Sequence, residues 1–303
     1  MTEAVDALES VFKSAGDAIV PPRSHVELHD GTLLLMPAAS SVGAGVKLVT
    51  VNPANPPRGL PLINGVYVLF AAKTLQPVAV IDGAALTGLR TAAVSGLATR
   101  FLARPDARRL VIFGAGVQAT AHLEAMTAVR PIENVTVVSR TEARAETLAD
   151  RARAQGLTAR VGEPAAVAGA DIVCTCTTTG EPLFDGSLLT PGAHINAVGA
   201  FEPHTRELDD ATVGRARIVV EDRGAALTEA GDVLIPIESG AISKDQIVAD
   251  LRETVAGANV RTDVTDITVF KSVGLALEDL AVAAAAVVAH VAGLSDDPDR
   301  ITR

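Results

Sequence analysis

The sequence has no tryptophan and a single tyrosine, and aromatic residues make up only 3% of it. Its core must therefore be packed from Ala, Val, Leu and Ile, which are abundant: hydrophobic residues reach 48% and the mean hydropathy is +0.31. That palette suits parallel strands covered by helices on both faces. Positive charge is also short, with 26 Lys and Arg against 36 Asp and Glu and a net charge of −10. Such a surface speaks against nucleic acid or an anionic membrane as partner, while leaving room for a local basic pocket for a small anion. Cysteine is nearly absent. Cys174 and Cys176 stand two apart in "DIVCTCTT"; on a strand they share one face, which rules out a mutual disulfide, and without a nearby His or Cys they make no closed zinc site. They read as small core residues of a cytosolic protein.

No basic segment followed by an apolar stretch opens the chain, so no secretory signal is expected and the location is read as cytoplasmic. The most apolar run, Leu275–Leu294, contains Glu278, Asp279 and His290, which marks a buried helix rather than a membrane span. Internal repeats and low-complexity linkers are missing as well.

At 303 residues the chain suffices for two domains. An amphipathic helix over about Val5–Ala15 opens it. The strand-like runs "HVELHD", "TLLLMPA", "VKLVTV", "VYVLF" and "PVAVID" follow, separated by turn signals such as Asp30-Gly31 and Asn64-Gly65. Consecutive strands of this kind predict a mostly antiparallel sheet. "ALTGLRTAAVSGLATRFLA" then reads as a helix ending before Pro105. From Arg108 strands and helices alternate, through "RLVIFGAG", "VQATAHLEAMTAV", "NVTVVS", a charged helix, "DIVCTCT", "HINAVGAF" and "RIVVED". The expected fold class is α/β: a Rossmann doubly wound parallel sheet plus a discontinuous α+β substrate and dimerisation domain. The boundaries are drawn at 1–104 with 272–303 for the latter and 105–271 for the NAD(P)-binding domain.

"VIFGAGVQA" carries the chemistry of the parallel sheet. Gly114, Gly116 and Ala119 form a G-x-G-x-x-A pattern after an apolar strand and before a helix. The first glycine permits the tight turn, the second lets a pyrophosphate approach the backbone, and the small third residue lets helix and strand pack closely. Ala115, Val117 and Gln118 belong to the same loop and first helical turn. At the end of the next strand, where a carboxylate would bind the ribose of NAD, stand Ser139, Arg140 and Thr141, with Arg144 one turn on. A guanidinium flanked by hydroxyls suits a 2′-phosphate, so NADP(H) is the preferred cofactor and NAD(H) the alternative.

Several segments, "GVKLVTVNPANPPRGLP", "DGAALTGLRTAAVSGLATRFLAR", "VIFGAGVQATAHLEA", "GAHINAVGAFEPHTRELD" and "FKSVGLALED", resemble the ornithine cyclodeaminase/mu-crystallin family in order and spacing, from about Arg23 to Leu280. The resemblance implies an NAD(P)-dependent enzyme acting on a small imino or amino acid. It also implies a homodimer built through the N-terminal sheet, although this sequence opens on a helix in place of the family's short leading strand. By resemblance, Lys47 contacts the substrate near the reacting nitrogen, Arg90 forks onto its carboxylate, and Arg23 assists from the carboxylate side. Arg90, Thr91, Thr177, Thr178, Val198, Ser272 and Val273 match cofactor contacts. An arginine is the right group for a planar carboxylate. Lys47, taken alone, reads as a solvent-facing strand residue. The resemblance reverses this, and a lysine desolvated among Val46, Leu48 and Val49 has a lowered pKa suited to proton transfer.

The sequence departs from the cyclodeaminase pattern at one telling place. Cyclodeaminases carry an aspartate after the Gly-Ala of this strand end, where "VGAFEPH" offers Phe201. Phenylalanine moves no proton. Glu202 points to the opposite face, and His204 reads as a solvent-facing loop residue. Reduction of a preformed cyclic ketimine needs only a bound carboxylate, a hydride donor and one proton. The expected activity is therefore reduction of Δ1-pyrroline-2-carboxylate or Δ1-piperideine-2-carboxylate to proline or pipecolate. Phe201 would line the ring pocket and Lys47, with no aspartate available, would supply the proton. An ornithine cyclodeaminase or amino-acid dehydrogenase of the same family is the rival reading, and a small-molecule-binding protein that holds NADP(H) for structure is another. No metal is expected.

Overall fold

A computed structural model describes residues 1–295 except 15 and 17. The chain divides into two compact units, one made of residues 3–90 and the chain from Leu275 onward, the other of residues 1–2 and 91–274. The lines fall after Arg90 and Gly274, not after residues 104 and 271. Pro105 marks the end of a helix that runs unbroken from Gly83 to Leu102, and not the edge of a unit.

The first unit opens with α1 (Thr2–Ser14), whose apolar stripe Ala4, Val5, Leu8, Val11 and Phe12 is buried. The expected helix end at residue 15 lies outside the described residues. Five strands follow as an antiparallel meander: β1 (Ser24–Leu28), β2 (Gly31–Ser40), β3 (Gly43–Val51), β4 (Ile63–Phe70) and β5 (Pro77–Asp82), in spatial order β1-β2-β3-β4-β5. The alternation of side chains across a strand sorts them into two faces. Gly43, Gly45, Lys47 and Val49 of β3, Met36 and Ala38 of β2, and Tyr67 and Leu69 of β4 are buried on the inner one. The outer face is apolar too, yet Val26, Leu28, Val66, Val78 and Val80 are exposed on it, Val80 to 72%. α2 (Gly83–Leu102) leaves β5, and its first amides are capped by Asp82, which accepts from the N–H of Ala84 and Ala85 at 2.8 and 2.9 Å.

The second unit is the expected doubly wound sheet. It holds β6 (Arg109–Phe113), α3 (Val117–Val129), β7 (Asn134–Val138), α4 (Glu142–Ala154), β8 (Thr158–Val161), β9 (Ile172–Thr175) and β10 (His194–Ala197). Next come α5 (Asp210–Arg215), β11 (Ala216–Val220), α6 (Arg223–Glu229), α7 (Gly231–Glu238), β12 (Ile247–Asp250), α8 (Leu251–Val255) and β13 (Ile267–Lys271). All eight strands are parallel, in the order β12-β11-β13-β10-β9-β6-β7-β8. β9, β10 and β13 are buried along their whole length, as central strands covered on both faces must be. The winding reverses between β6 and β9, the switch point where such sheets bind ligands beyond their carboxyl ends.

The last helix, α9 (Ala276–Ser295), belongs to the first unit and packs on β2, β3 and β4. By length and composition it is apolar enough to cross a membrane. Its first turn is instead buried against the sheet, with Glu278 and Asp279 wholly inaccessible and ion-paired.

Tyr67 is fully buried, and it fits only because Gly45 stands beside it: a β-carbon at Gly45 would overlap the phenol ring and its oxygen. Gly45→Ala is therefore expected to destabilise the protein by about 1–3 kcal/mol, the usual cost of overpacking. In a Tyr67→Val background the same change should cost much less. Chemical denaturation of the four variants checks this, and additive effects would contradict it.

Candidate active site

The parallel sheet presents a cavity of about 720 Å³ at its switch point. Gly114, Ala115 and Gly116 form one wall, Ser139, Arg140, Thr141 and Arg144 a second, and Thr177 and Thr178 a third. Gly114 has φ +103°, and a β-carbon there would also sit 2.5 Å from the carbonyl oxygen of Cys176, so glycine is required twice over. Gly116 precedes α3 in extended conformation with open space where a side chain would stand. Ala119 is fully buried in the packing of α3. An open glycine face at the N-terminus of a thirteen-residue helix, on a cavity of this volume, fits the pyrophosphate of a dinucleotide. Val117 and Gln118 make the first turn of α3 and do not line the cavity. Cys176, expected as a core residue, does line it, while Cys174 is buried in the core and both thiols are free.

Arg140 and Arg144 are exposed side chains on that wall, and the Ser139 hydroxyl accepts from the Thr141 N–H at 3.3 Å. Glu142 and Glu163 stand on the same cavity, so the basic pair is not its only charge.

Behind the loops at the carboxyl ends of the strands lies a network that sequence reasoning did not find. The Glu207 carboxylate accepts from the Thr175 and Thr177 hydroxyls, each at 2.7 Å, and from the N–H groups of Thr177, Gly199 and Ala200. Burial and the Asp232 charge push its pKa up, while Lys271 and the two hydroxyls pull against them. Asp232 in turn accepts from the N–H of Glu207 and Leu208 and pairs with Lys271 at 2.9 Å. Lys271 donates to the carbonyls of Ala197 and Ala200. Glu221 receives the Ser272 hydroxyl and the N–H of Val273 and Gly274. The loops carrying Thr177, Val198, Ser272 and Val273 are thus tied to buried carboxylates. Val198, Ser272 and Val273 follow strands of the same sheet but do not line the cavity itself. Thr91 is buried in α2.

Phe201 lies on the loop after β10, 46% exposed, in the parallel-sheet unit. Its neighbours Glu202 and His204 are exposed and paired with each other at 3.3 Å, so neither side chain is directed inward. Arg23 stands half-buried just ahead of β1.

In the antiparallel-sheet unit the structure brings Lys47 and Arg90 together. The strand register sets Lys47 opposite Tyr67 on the inner face, where it is only 2% exposed. Its ammonium meets both oxygens of Asp279, at 2.8 and 3.0 Å, and lies 3.4 Å from the Thr87 hydroxyl. Arg90, one turn beyond Thr87 on α2, donates through Nη1 to Glu278 at 2.9 Å and faces Asp279 through Nε at 3.3 Å. Two cations and two carboxylates form a balanced buried cluster. Desolvation and the Arg90 charge lower the pKa of Lys47 to about 8, against the pull of Asp279 and Glu278. The Tyr67 phenol has no hydrogen-bond partner among the described residues, and burial, with the Asp279 charge, raises its pKa.

The expectation that no aspartate is available to Lys47 is therefore corrected. One reaches it from α9 instead of from the loop after β10. Glu278 and Asp279 entered the sequence reading as charges that break an apolar run and as the end of "FKSVGLALED", with no role given to either. Two adjacent acids in an alanine-rich helix were themselves the signal, because buried acids need partners.

A glycine cradle on a doubly wound sheet, in a chain whose other unit buries a lysine and an arginine, defines a nicotinamide-dinucleotide enzyme. The chain belongs to the ornithine cyclodeaminase/mu-crystallin family, whose model matches residues 1–292. It is 38% identical to Delta(1)-pyrroline-2-carboxylate reductase of Bacillus cereus over 93% of this chain and 90% of that protein. It is 41% identical to ketimine reductase mu-crystallin of Rattus norvegicus over 88% of this chain and 84% of the other. Among solved structures, Thermococcus litoralis Delta(1)-pyrroline-2-carboxylate reductase in complex with NADH and L-proline superposes with a TM-score of 0.89. It shares 37% identity, over 96% of this chain and 93% of that one.

Proposed function

We propose that this protein reduces a cyclic 2-imino acid, Δ1-pyrroline-2-carboxylate or its six-membered homologue, to the saturated amino acid. The observation that carries the reading is the cluster of Lys47 and Arg90, a buried ammonium of lowered pKa beside a guanidinium. The similarity to reductases of C=N substrates supports it. Arg90 receives the substrate carboxylate, for which its planar fork of donors is suited, and Arg23 assists. Gly114, Ala115 and Gly116 would hold the nicotinamide cofactor, which when bound would supply the hydride for C2. Lys47 gives its proton to the ring nitrogen and recovers one from water. Phe201 shields the ring as an apolar wall. Thr91, Val117, Gln118, Thr177, Thr178, Val198, Ser272 and Val273 complete the cofactor's contacts.

NADP(H) is the preferred cofactor, on the strength of Arg140 and Arg144 with the hydroxyls of Ser139 and Thr141. The protein works as a homodimer joined through the exposed apolar face of the antiparallel sheet, where Val26, Leu28, Val66, Val78 and Val80 otherwise meet water. Its two free thiols suit the cytoplasm.

Purified protein should oxidise NADPH when given Δ1-pyrroline-2-carboxylate, and Lys47→Met should lower kcat by about 10²–10⁴-fold, the range of a lost general acid. Because the donor is the protonated lysine, kcat should fall as pH rises through about 8. Ammonia and proline formed from ornithine and NAD alone would overturn the assignment in favour of a cyclodeaminase. Arg140→Ala should cost ~10-fold or more in kcat/KM for NADPH, the worth of one charged hydrogen bond, and leave NADH unaffected. Equal losses with both cofactors would remove the 2′-phosphate reading. Sedimentation should give twice the 31.1 kDa chain mass, and Val80→Glu should halve it. A wild-type monomer would refute the dimer.

A further inference from the structure

The four charges of the Lys47 cluster are not equivalent. Glu278 is placed on Arg90 through Nη1, whereas Asp279 reaches both cations, with two oxygens on the Lys47 ammonium and Oδ1 also facing Arg90 Nε. The groups facing Lys47 are Thr87 and Arg90 from α2, Glu278 and Asp279 from α9, and Tyr67 across the strand pair on β4; its β2 partner is the uncharged Met36. Among these, Asp279 makes direct ion-pair contact with the ammonium, at 2.8 Å.

We propose that Asp279 is the positioning residue for Lys47: it fixes the ammonium on the inner face of the sheet and keeps it protonated until the substrate nitrogen takes the proton. The proposal rests on the reading of Lys47 as proton donor. In the step itself an N–H bond of the Lys47 ammonium breaks and an N–H bond forms on the ring nitrogen, leaving a neutral amine beside Asp279. The carboxylate is then partnered by Arg90 Nε until water returns the proton to Lys47, so the cluster never holds an unpaired anion. Tyr67, the β4 register partner of Lys47, carries a phenol whose ionisation burial and the same carboxylate disfavour, so it does not compete as an acid. A carboxylate at this distance raises the proton affinity of the lysine whatever its use. A purely structural salt bridge would therefore leave an alkaline limb of kcat that does not follow the Lys47 midpoint.

The chain has five lysines, few enough to follow individually by NMR after labelling with [13Cε]lysine. The Lys47 resonance, assigned by its loss in Lys47→Met, should titrate in the wild type near pH 8. In Asp279→Asn the midpoint should fall by about one unit or more, the effect of removing an opposite charge at contact distance. The alkaline limb of kcat should move down by the same amount, with KM for the imino acid changing less than kcat. Asp279→Glu should return the midpoint toward the wild-type value. If Asp279→Asn does not fold, Lys47→Met/Asp279→Leu removes one charge of each sign and should be more stable than either single variant. A folded Asp279→Asn protein in which Lys47 titrates as in the wild type overturns the proposal, as does a double variant no more stable than the singles. The labelled-lysine titration needs no substrate. A wild type that consumes no NADPH with any cyclic imino acid, while Asp279→Asn still lowers the Lys47 midpoint, would therefore sink the assigned reaction and leave only the hold of Asp279 on the ammonium.

Discussion

Two positive charges buried on one face of a five-stranded sheet constrain the rest of this structure. Taking an ammonium and a guanidinium out of water is costly, and removing the partner of such a buried charge typically costs about 3–5 kcal/mol. The strands that bury Lys47 have no means of neutralising it, since β2, β3 and β4 contain no acidic residue. The carboxylates must come from elsewhere in the chain, and they arrive 232 residues later, on the first turn of α9. The discontinuity of this unit thus has an electrostatic reason. Without the return of α9, the sheet would expose its inner face and leave Lys47 and Arg90 without Asp279 and Glu278. The same contact that closes the core fixes the two side chains beside each other through Asp279.

The parallel-sheet unit solves the opposite problem. Here the buried charges are mostly negative, and each is satisfied by loop backbone. Glu207, Asp232 and Glu221 gather N–H groups from the segments that follow β9, β10 and β13, and Lys271 ties the carbonyls of Ala197, at the end of β10, and Ala200, on the loop after it, to Asp232. Loops at the carboxyl end of a parallel sheet have no ladder to order them. A cofactor surface built on them needs support from beneath. The close fit is visible at Gly199, where a β-carbon would overlap both the Thr177 carbonyl and the Glu207 carboxylate. In both units, then, the buried polar groups hold elements distant in sequence at fixed separation.

Much of this was legible in the sequence, for reasons that differ by element. The doubly wound sheet showed itself through apolar runs alternating with helical periodicity, and the glycine cradle through a pattern whose steric demands are local. Gly114 needs its positive φ whatever the rest of the fold does. The antiparallel strands were readable from their turns. Long-range electrostatics was not readable. Lys47 alone looks like the wet side of a half-buried strand, and only the resemblance placed it inside. Glu278 and Asp279 looked like interruptions of an apolar helix because their partners lie on β3 and α2. Glu207 lies in a segment that carries the resemblance but gives it no role, and Asp232 sits in one with no motif at all. The boundary at Pro105 misled because a proline ends a helix without ending a folding unit, and α2 continues from one unit into the other.

The position of the acidic partner also bears on which direction of proton flow the site favours. A carboxylate placed alone at the end of a parallel strand can take a proton from an amine or a water, which is what expelling ammonia and closing a ring requires. This chain has Phe201 at that place, and the loop's own acid, Glu202, is turned outward onto His204. Asp279 is differently situated, with its oxygens committed to Lys47 and Arg90. In that position it does not act as the base; it stabilises a conjugate acid. Burial, which alone would drive Lys47 toward the neutral amine, is opposed by a carboxylate at contact distance, and the balance leaves an ammonium with a pKa of about 8. Such a group is protonated at neutral pH and yet gives up its proton more readily than a lysine in water, the property demanded of a donor to an imine nitrogen as it becomes an amine. An aromatic ring on one loop and an acid beneath the lysine thus both fit the reduction proposed above better than a deamination.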